Sequence, residues 1–508
     1  MVSVSHFQGW IMARDPISAF DRFLKGSLDE LLAPGEAGDG LPETLSLLRR
    51  AADNVPAYGA MLNTAGLSVS DIHDASDFAK LPLLNKENYV RRFPLEALVE
   101  GGDLAACDFF AVSSGSTGEP TVWPRGLHHE LPVAVRFEQV LRDNFRAHER
   151  RTLAVVCFAL GSWVGGMYTT SCLRWVAAKG YPLLIVTPGN KIDEILQVVK
   201  RLAPDFEQTV LLGYPPFLKE VVDAGRLDKI DWSKFNVRLV TAGEVFSETW
   251  RDLVLERLDQ DEGLNSIASL YGTADAGVLG NETPLSVAIR RFVSEKPEAA
   301  KALFGEERLP TLCQYDPTSR YFEVVEGGTL AFSGDNGAPL IRYHIADQGG
   351  IYSFEAMRAK LADFQFDAET AVAQAGLRAR RLPFVYVFGR ANFTLSFFGA
   401  NIFPETISLA LEKPSLSRWT TGKFVMEVKE GLADRPRFTV AIELADKEAG
   451  DPTRIDLAER EILDTLLAHN SEYANYVSKD DQRPVVTLWS KGHPDYFPVG
   501  VKHHYSRR

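Results

Sequence analysis

From Leu153 to Tyr271 the chain repeats one pattern: a short aliphatic or β-branched run, a turn rich in Gly and Pro, then a stretch of helical period. Leu183-Leu184-Ile185-Val186 passes through Pro188-Gly189-Asn190 into a segment with apolar residues at Ile192, Ile195, Leu196, Val199 and Leu202. That spacing makes one stripe along a helix, and Asn190 with Asp193 reads as its capping pair. The runs Thr209–Leu212, Val237–Val240 and Ile267–Leu270 each end in a polar or aromatic turn, at Gly213-Tyr214-Pro215-Pro216, Ala242-Gly243-Glu244 and Tyr271-Gly272. Strands alternating with helices predict a mainly parallel sheet covered on its faces. In open sheets of this kind ligands sit at the carboxyl edge, where these turns fall.

After about residue 390 the texture changes. Phe424–Val428, Arg437–Leu444 and Val485–Trp489 read as strands and Ile455–Leu467 as an amphipathic helix, a small α+β module. The fold class expected is therefore α/β: a large N-terminal domain over residues 1–388, with mixed or parallel sheets flanked by helices, and a small mobile α+β domain over 389–508. The uncharged stretch Thr152–Leu173 is long enough to raise a membrane span, but its glycines and hydroxyls favour a buried strand, a glycine loop and a helix.

Composition narrows the function classes. The 508 residues hold 55 Lys+Arg against 68 Asp+Glu, a formal charge of −13, with 45% hydrophobic positions. An acidic balance argues against a nucleic-acid partner, which would show as clustered basic residues. Cys107, Cys157, Cys172 and Cys313 have no CxxC spacing, so neither a zinc cluster nor a disulfide framework is expected. The N-terminal residues have no signal-peptide apolar core. A cytoplasmic location without membrane or nucleic-acid contacts is the expectation, and a homodimer stays open.

The sharpest local feature is Ser113-Ser114-Gly115-Ser116-Thr117-Gly118-Glu119-Pro120-Thr121, directly after the apolar run Phe109–Val112. Glycines let backbone N–H groups turn toward a phosphate and hydroxyls add donors, so such a loop cradles phosphates with little net positive charge. No Gly-Lys-Ser/Thr closes it, which excludes a Walker A loop.

This loop, with two earlier and three later segments in the right order, resembles the adenylate-forming superfamily, specifically its phenylacetate–CoA ligase branch. Val55–Tyr58 and Leu81-Pro82-Leu83-Leu84-Asn85-Lys86-Glu87 are similar to that branch's N-terminal segments; Ser114–Thr121 is similar to its phosphate loop, with Thr121 where most members have lysine. Tyr271-Gly272-Thr273-Ala274-Asp275 resembles the Tyr-Gly-x-Thr-Glu motif, and Ile341–Asp347 the Arg-x-x-x-Gly-Asp motif. Gly389-Arg390 through Gly399-Ala400-Asn401-Ile402-Phe403-Pro404 matches the branch's Gly-Arg to Gly-x-Asn-x-Phe-Pro segment.

The resemblance implies an ATP- and Mg²⁺-dependent ligase that converts a small aromatic acid to an acyl-adenylate with release of pyrophosphate, then passes the acyl group to coenzyme A. It implies that Ser113, Ser114, Gly115, Ser116, Thr117 and Gly118 hold phosphates, and that Gly243, Glu244, Tyr271, Gly272, Thr273, Asp347 and Arg390 bind the nucleotide. Asp347 offers acceptors for a ribose diol, Asp275 a carboxylate for the metal, and Arg390 a cation for phosphate or ribose. Phe158, Trp163, Tyr214, Ala242 and Gly272 are the expected acyl-pocket residues. Catalytic roles fall to Asp275, Arg390 and Lys502, the last within Val499-Gly500-Val501-Lys502-His503-His504-Tyr505, slightly out of phase with the family's Gly-Lys. Ala274 stands where the family has Thr, and Asn392-Phe393 replaces the hinge Asp-Asp pair. These departures keep two alternatives open: transfer to a small amine or hydroxyl acceptor, giving an amide or ester, and a non-catalytic nucleotide- or acyl-binding protein.

Overall fold

The computed structural model describes residues 16–113, 120–161, 164–261, 263–390, 395–398, 400–430, 436–498 and 505–507, without the side chains of Ala106, Arg390, Glu430 and Arg507. Strands β1 (Phe109–Val112) and β2 (Val122–Arg125) pair antiparallel, and residues 113–121 join them in sequence. Among the described residues the central sheet has eleven strands. They are β3 (Thr152–Val156), β4 (Leu183–Val186), β5 (Gln208–Gly213), β6 (Val237–Ala242), β7 (Ile267–Thr273), β8 (Gly277–Asn281), β9 (Thr311–Gln314), β10 (Tyr321–Val325), β11 (Thr329–Gly334), β12 (Leu340–Tyr352) and β13 (Phe384–Arg390), in the order β10-β11-β12-β13-β9-β8-β7-β6-β5-β3-β4.

The half from β4 to β7 is parallel throughout, as the alternating pattern predicts. From β8 onward every pairing is antiparallel. The physical reason lies in the connection: only Ala274-Asp275-Ala276 separates β7 from β8, far too few residues for the crossover that a parallel strand needs. The sheet is thus mixed, and the turn between its two halves holds Asp275.

Period-2 alternation sorts the parallel strands onto two cores. Leu153, Val155, Cys157, Leu211, Leu239 and Ile267 face the helices Ile192–Leu202, Pro215–Leu227 and Glu248–Arg257. Their neighbours Ala154, Val156, Val210, Leu212, Val240 and Ala268 face the helices Leu127–Gln139 and Val164–Ala178. Each fully buried leucine here is worth about 2–5 kcal/mol against alanine. Thr152–Leu173 is a buried strand and a helix, and among the described residues no helix is long and apolar enough to cross a membrane. The cysteines are free thiols, three of them buried.

The helix Ile192–Leu202 buries Ile195, Leu196 and Val199, but its cap differs from expectation. Lys191 occupies the N-cap position with no side-chain hydrogen bond. Asn190 lies one residue too early for its amide to reach the free N–H groups of the first turn; Asp193 and Glu194 instead complement the helix dipole.

The C-terminal residues build a second, smaller sheet. It contains β16 (Thr420–Glu430), β17 (Pro436–Leu444), β18 (Val485–Trp489) and β19 (Ser506–Arg507) in the order β18-β17-β16-β19, beside a two-stranded ribbon of β14 (Leu395–Phe397) and β15 (Ala400–Ile402). The helix Pro452–His469, capped by Asp451, packs Ala458, Ile462 and Leu466 onto it.

Candidate functional site

A cavity of about 620 Å³ opens at the carboxyl ends of β5, β6 and β7, lined by both the large sheet's turns and the small α+β unit. Two carboxylates mark its floor. Asp347, 6% exposed on β12, accepts a 2.8 Å hydrogen bond from the Tyr271 hydroxyl on β7. The β12–β13 register sets Asp347 directly opposite Arg390. Asp275, 5% exposed, accepts a 2.8 Å bond from Tyr343 Oη on one oxygen and lies 3.2 Å from Lys86 Nζ on the other.

Local folding explains how Lys86 arrives there. Leu84 makes a parallel bridge with Tyr343: its N–H donates to the Arg342 carbonyl at 3.1 Å, and the His344 N–H donates to the Leu84 carbonyl at 2.7 Å. Arg342 holds the incoming strand by donating to the carbonyls of Ala79 and Leu81, while its Nε pairs with Glu323. Asn85 then caps the short helical turn Lys86–Val90. The segment similar to the branch's N-terminal motif is therefore docked along β12 where that strand carries the motif residues Ile341–Asp347.

The turn after β7 is braced from beneath. Arg125, fully buried, donates to the carbonyls of Ala274 at 2.7 Å, Asp275 at 3.1 Å and Asn336 at 2.7 Å. Thr273 Oγ1 accepts the Ala276 N–H at 3.1 Å, so this hydroxyl closes the turn. Gly272 is required sterically: a Cβ there would lie 2.5 Å from the Gly277 carbonyl oxygen.

The opposite wall is apolar. Phe158 and Tyr214 meet edge to face, with centroids 5.2 Å apart, and Ala242 and Val164 line the same space. Burial and nearby Glu244 push the Tyr214 phenol up, so it stays a neutral wall residue. Gly243, at φ +87°, passes so close that a Cβ would fall 2.6 Å from the Tyr214 ring.

Ser113 closes the neck of the Ser/Gly loop: its Oγ accepts the Thr121 N–H at 2.9 Å and its own N–H donates to the Thr121 carbonyl at 2.9 Å. Ser114, Gly115, Ser116, Thr117 and Gly118, together with Trp163, Asn392, Phe393, Gly399, Lys502 and the Arg390 side chain, lie outside the described residues. Among the expected residues that are described, Ser113, Phe158, Tyr214, Ala242, Gly243, Glu244, Tyr271, Gly272, Thr273, Asp275 and Asp347 all line the one cavity.

Four participants have no role in the motif reading: Lys86, Tyr343, Arg125 and Tyr505. Tyr505, in the last described segment, donates its hydroxyl to Glu244 on the turn after β6. Beside it, Ser247 donates to Glu412 of the small unit, and Lys219 donates to the Thr420 carbonyl at 3.1 Å. Burial raises the Glu412 carboxyl to about 8, against the opposing pull of the Ser247 bond and the Lys219 charge.

No family model matches the chain. Sequence similarity covers 45% of it: 230 residues are 21% identical to the phenylacetate–coenzyme A ligase of Aromatoleum evansii, and 229 residues are 23% identical to that of Pseudomonas putida. The chain spans about half the length of these curated relatives, 48% of each. The fold matches a solved 2-hydroxyisobutyryl-CoA ligase in the post-adenylation state with R3-HIB-AMP at a TM-score of 0.63, with 16% identity over 92% of this chain and 87% of that one. The same ligase with 2-HIB-AMP and CoA in its thioesterification state gives 0.51, with 15% identity over 96% and 91%. The chain is thus similar in sequence, over less than half its length, to phenylacetate–coenzyme A ligases, and it shares the fold of the solved 2-hydroxyisobutyryl-CoA ligase.

Proposed function

We propose that the protein activates an aromatic carboxylic acid with ATP, forming an acyl-adenylate and pyrophosphate, and then transfers the acyl group to coenzyme A. The observation that supports it most is the arrangement of the cavity: a buried carboxylate with a tyrosine, a lysine–carboxylate pair and an aromatic wall converge on one space of about 620 Å³.

In this reading the chain's own groups divide the work. Asp347, held by Tyr271, accepts hydrogen bonds from the ribose diol. Residues 113–121 surround the β- and γ-phosphates with N–H and hydroxyl donors. Phe158 and Tyr214 orient the acid so that its carboxylate meets the α-phosphorus, which turns a bimolecular step into an oriented one. Lys86 and Lys502 stabilise the charge that develops as the carboxylate attacks. Asp275 is one carboxylate, and no group of three or more metal-binding side chains is found among the described residues. That donor set fits Mg²⁺, which is normally held by one or two carboxylates together with phosphate oxygens and water. When bound, the ion neutralises phosphate charge.

The test is pyrophosphate release with a panel of benzoates, aminobenzoates and phenylacetates, followed by mass spectrometry of products with and without coenzyme A. A folded protein that releases no pyrophosphate with any acid overturns the adenylation reading. An identical product in both arms overturns the thioester step and leaves transfer to an amine or hydroxyl.

A further inference from the structure

Tyr505 is anchored in the small unit. Its ring packs on Phe424 with centroids 5.0 Å apart, its carbonyl accepts the Met426 N–H at 2.7 Å, and the next residue, Ser506, pairs with Met426 as β19 joins β16. Its hydroxyl crosses to the large unit, donating to Glu244. Glu244 directly follows Gly243, whose backbone is fitted against Tyr214, so the bond attaches the chain's end to the turn that shapes the apolar wall. The phenol also faces the carboxylates of Glu405 and Glu412, and burial beside these groups keeps it protonated, a permanent donor.

We propose that Tyr505 is a positioning residue that docks the C-terminal strand onto the cleft wall through Glu244, and that this contact belongs to the adenylation arrangement of the two units. The second clause rests on the function proposed above. It is motivated by the closer match to the post-adenylation form of the hydroxyisobutyryl-CoA ligase than to its thioesterification form, 0.63 against 0.51. A reorientation of the small unit between the two half-reactions must break this bond together with the Ser247–Glu412 and Lys219–Thr420 bonds, and individual hydrogen bonds are weak enough to break repeatedly.

The substitution Tyr505→Phe is a clean probe, because it keeps the ring packed on Phe424 and deletes only the crossing hydroxyl. Amide hydrogen exchange reads the docking without any assay of activity: residues 242–246 and 505–507 exchange several-fold faster in Y505F than in the parent, whereas unchanged protection overturns the proposal. In the half-reactions, Y505F lowers kcat for ATP–pyrophosphate exchange about tenfold, with KM for ATP little changed, while thioester formation from supplied acyl-adenylate stays within twofold. Equal losses in both halves, or none in either, overturn the assignment to adenylation. Adding Y505F to E244L produces no further loss if the two act through one bond, and an additive loss contradicts that. A parent protein that adenylates no acid defeats the proposed function, while the exchange experiment still decides the docking.

Discussion

Lys86 Nζ stands 3.2 Å from Asp275 Oδ1 on the floor of the cavity, joining a segment near the start of the large unit to the turn between its parallel and antiparallel halves. At that separation the gross attraction is roughly 5 kcal/mol for an effective dielectric near 20, and desolvation takes back part of it. The pair therefore sets a positive charge on the cavity floor of a chain whose Ser/Gly stretch, residues 113–121, contains no lysine.

Replacing that charge is the most direct check of the site. K86M leaves the mostly buried Asp275 carboxylate with Tyr343 as its remaining partner and removes a cation from the reacting centre. Pyrophosphate release is expected to fall by about 10²–10³, the usual cost of losing one preorganised electrostatic group. K86R is expected to recover only part of it, because the planar guanidinium places its charge differently. Thermal unfolding shows whether K86M stays folded; activity within threefold of the parent sinks the role.

Much of this was readable in advance, and the exceptions share a cause. Period-2 and period-3.6 patterns located β3 to β7 and their helices, because burial on two faces forces aliphatic runs and stripes. Tyr271, Asp275 and Asp347 stood out as motif residues. The bonds Tyr271–Asp347 and Tyr343–Asp275 did not, since each joins strands distant in sequence. Arg342 marked a motif, yet its guanidinium binds the carbonyls of Ala79 and Leu81, and only that docking brings Lys86 to the floor. Tyr505 is one of 15 tyrosines; nothing local distinguishes a phenol that reaches another unit from one that does not.

The contact between Ser247 and Glu412 has a consequence in pH. The folded carboxyl titrates near 8, above the 4.5 expected for an exposed glutamate, because burial disfavours its charged form. The folded protein keeps a proton that the unfolded chain releases between these values. This contribution to stability is fully present below about 4.5 and is lost progressively as pH rises through 8. E412Q, whose side chain does not titrate, is expected to flatten the fall in melting temperature across that window. Parallel curves for the parent and E412Q contradict the assignment.

Gly243 is constrained twice, by φ +87° and by the Tyr214 ring. G243A forces an L-residue into left-handed backbone, at about 1–2 kcal/mol, and presses a methyl into Tyr214, which adds about 1–3 kcal/mol of overpacking. Tyr214 then shifts against Phe158, so KM for the acid is expected to rise several-fold while KM for ATP holds. In G243A/Y214A the overpacking disappears and the backbone strain remains. Steady-state kinetics with each substrate varied in turn separates these outcomes, and an unaltered KM for the acid contradicts the placement of this wall.

Behind the same turn lies a buried charge network whose loss tests how the wall is held. Glu282, fully buried, accepts from Arg251 Nη2 at 2.9 and 3.1 Å, from Arg290 Nη1 at 2.7 Å and from the Ser269 N–H of β7 at 2.8 Å. Arg290 also donates to the Phe246 carbonyl at 2.6 Å, two residues beyond Glu244. Removing the shared acceptor leaves two buried guanidiniums with Glu248 as their one carboxylate partner, and breaking such a network typically costs 3–5 kcal/mol. E282A is therefore expected to lower the urea midpoint by that equivalent, and E282Q, which keeps one acceptor oxygen, by less. If Arg290 transmits the network's order to the wall, E282A also loses pyrophosphate release well below its unfolding midpoint, because the 243–246 turn loosens before the sheet does. Loss of activity that coincides with global unfolding would show that the network stabilises the sheet without tuning the site.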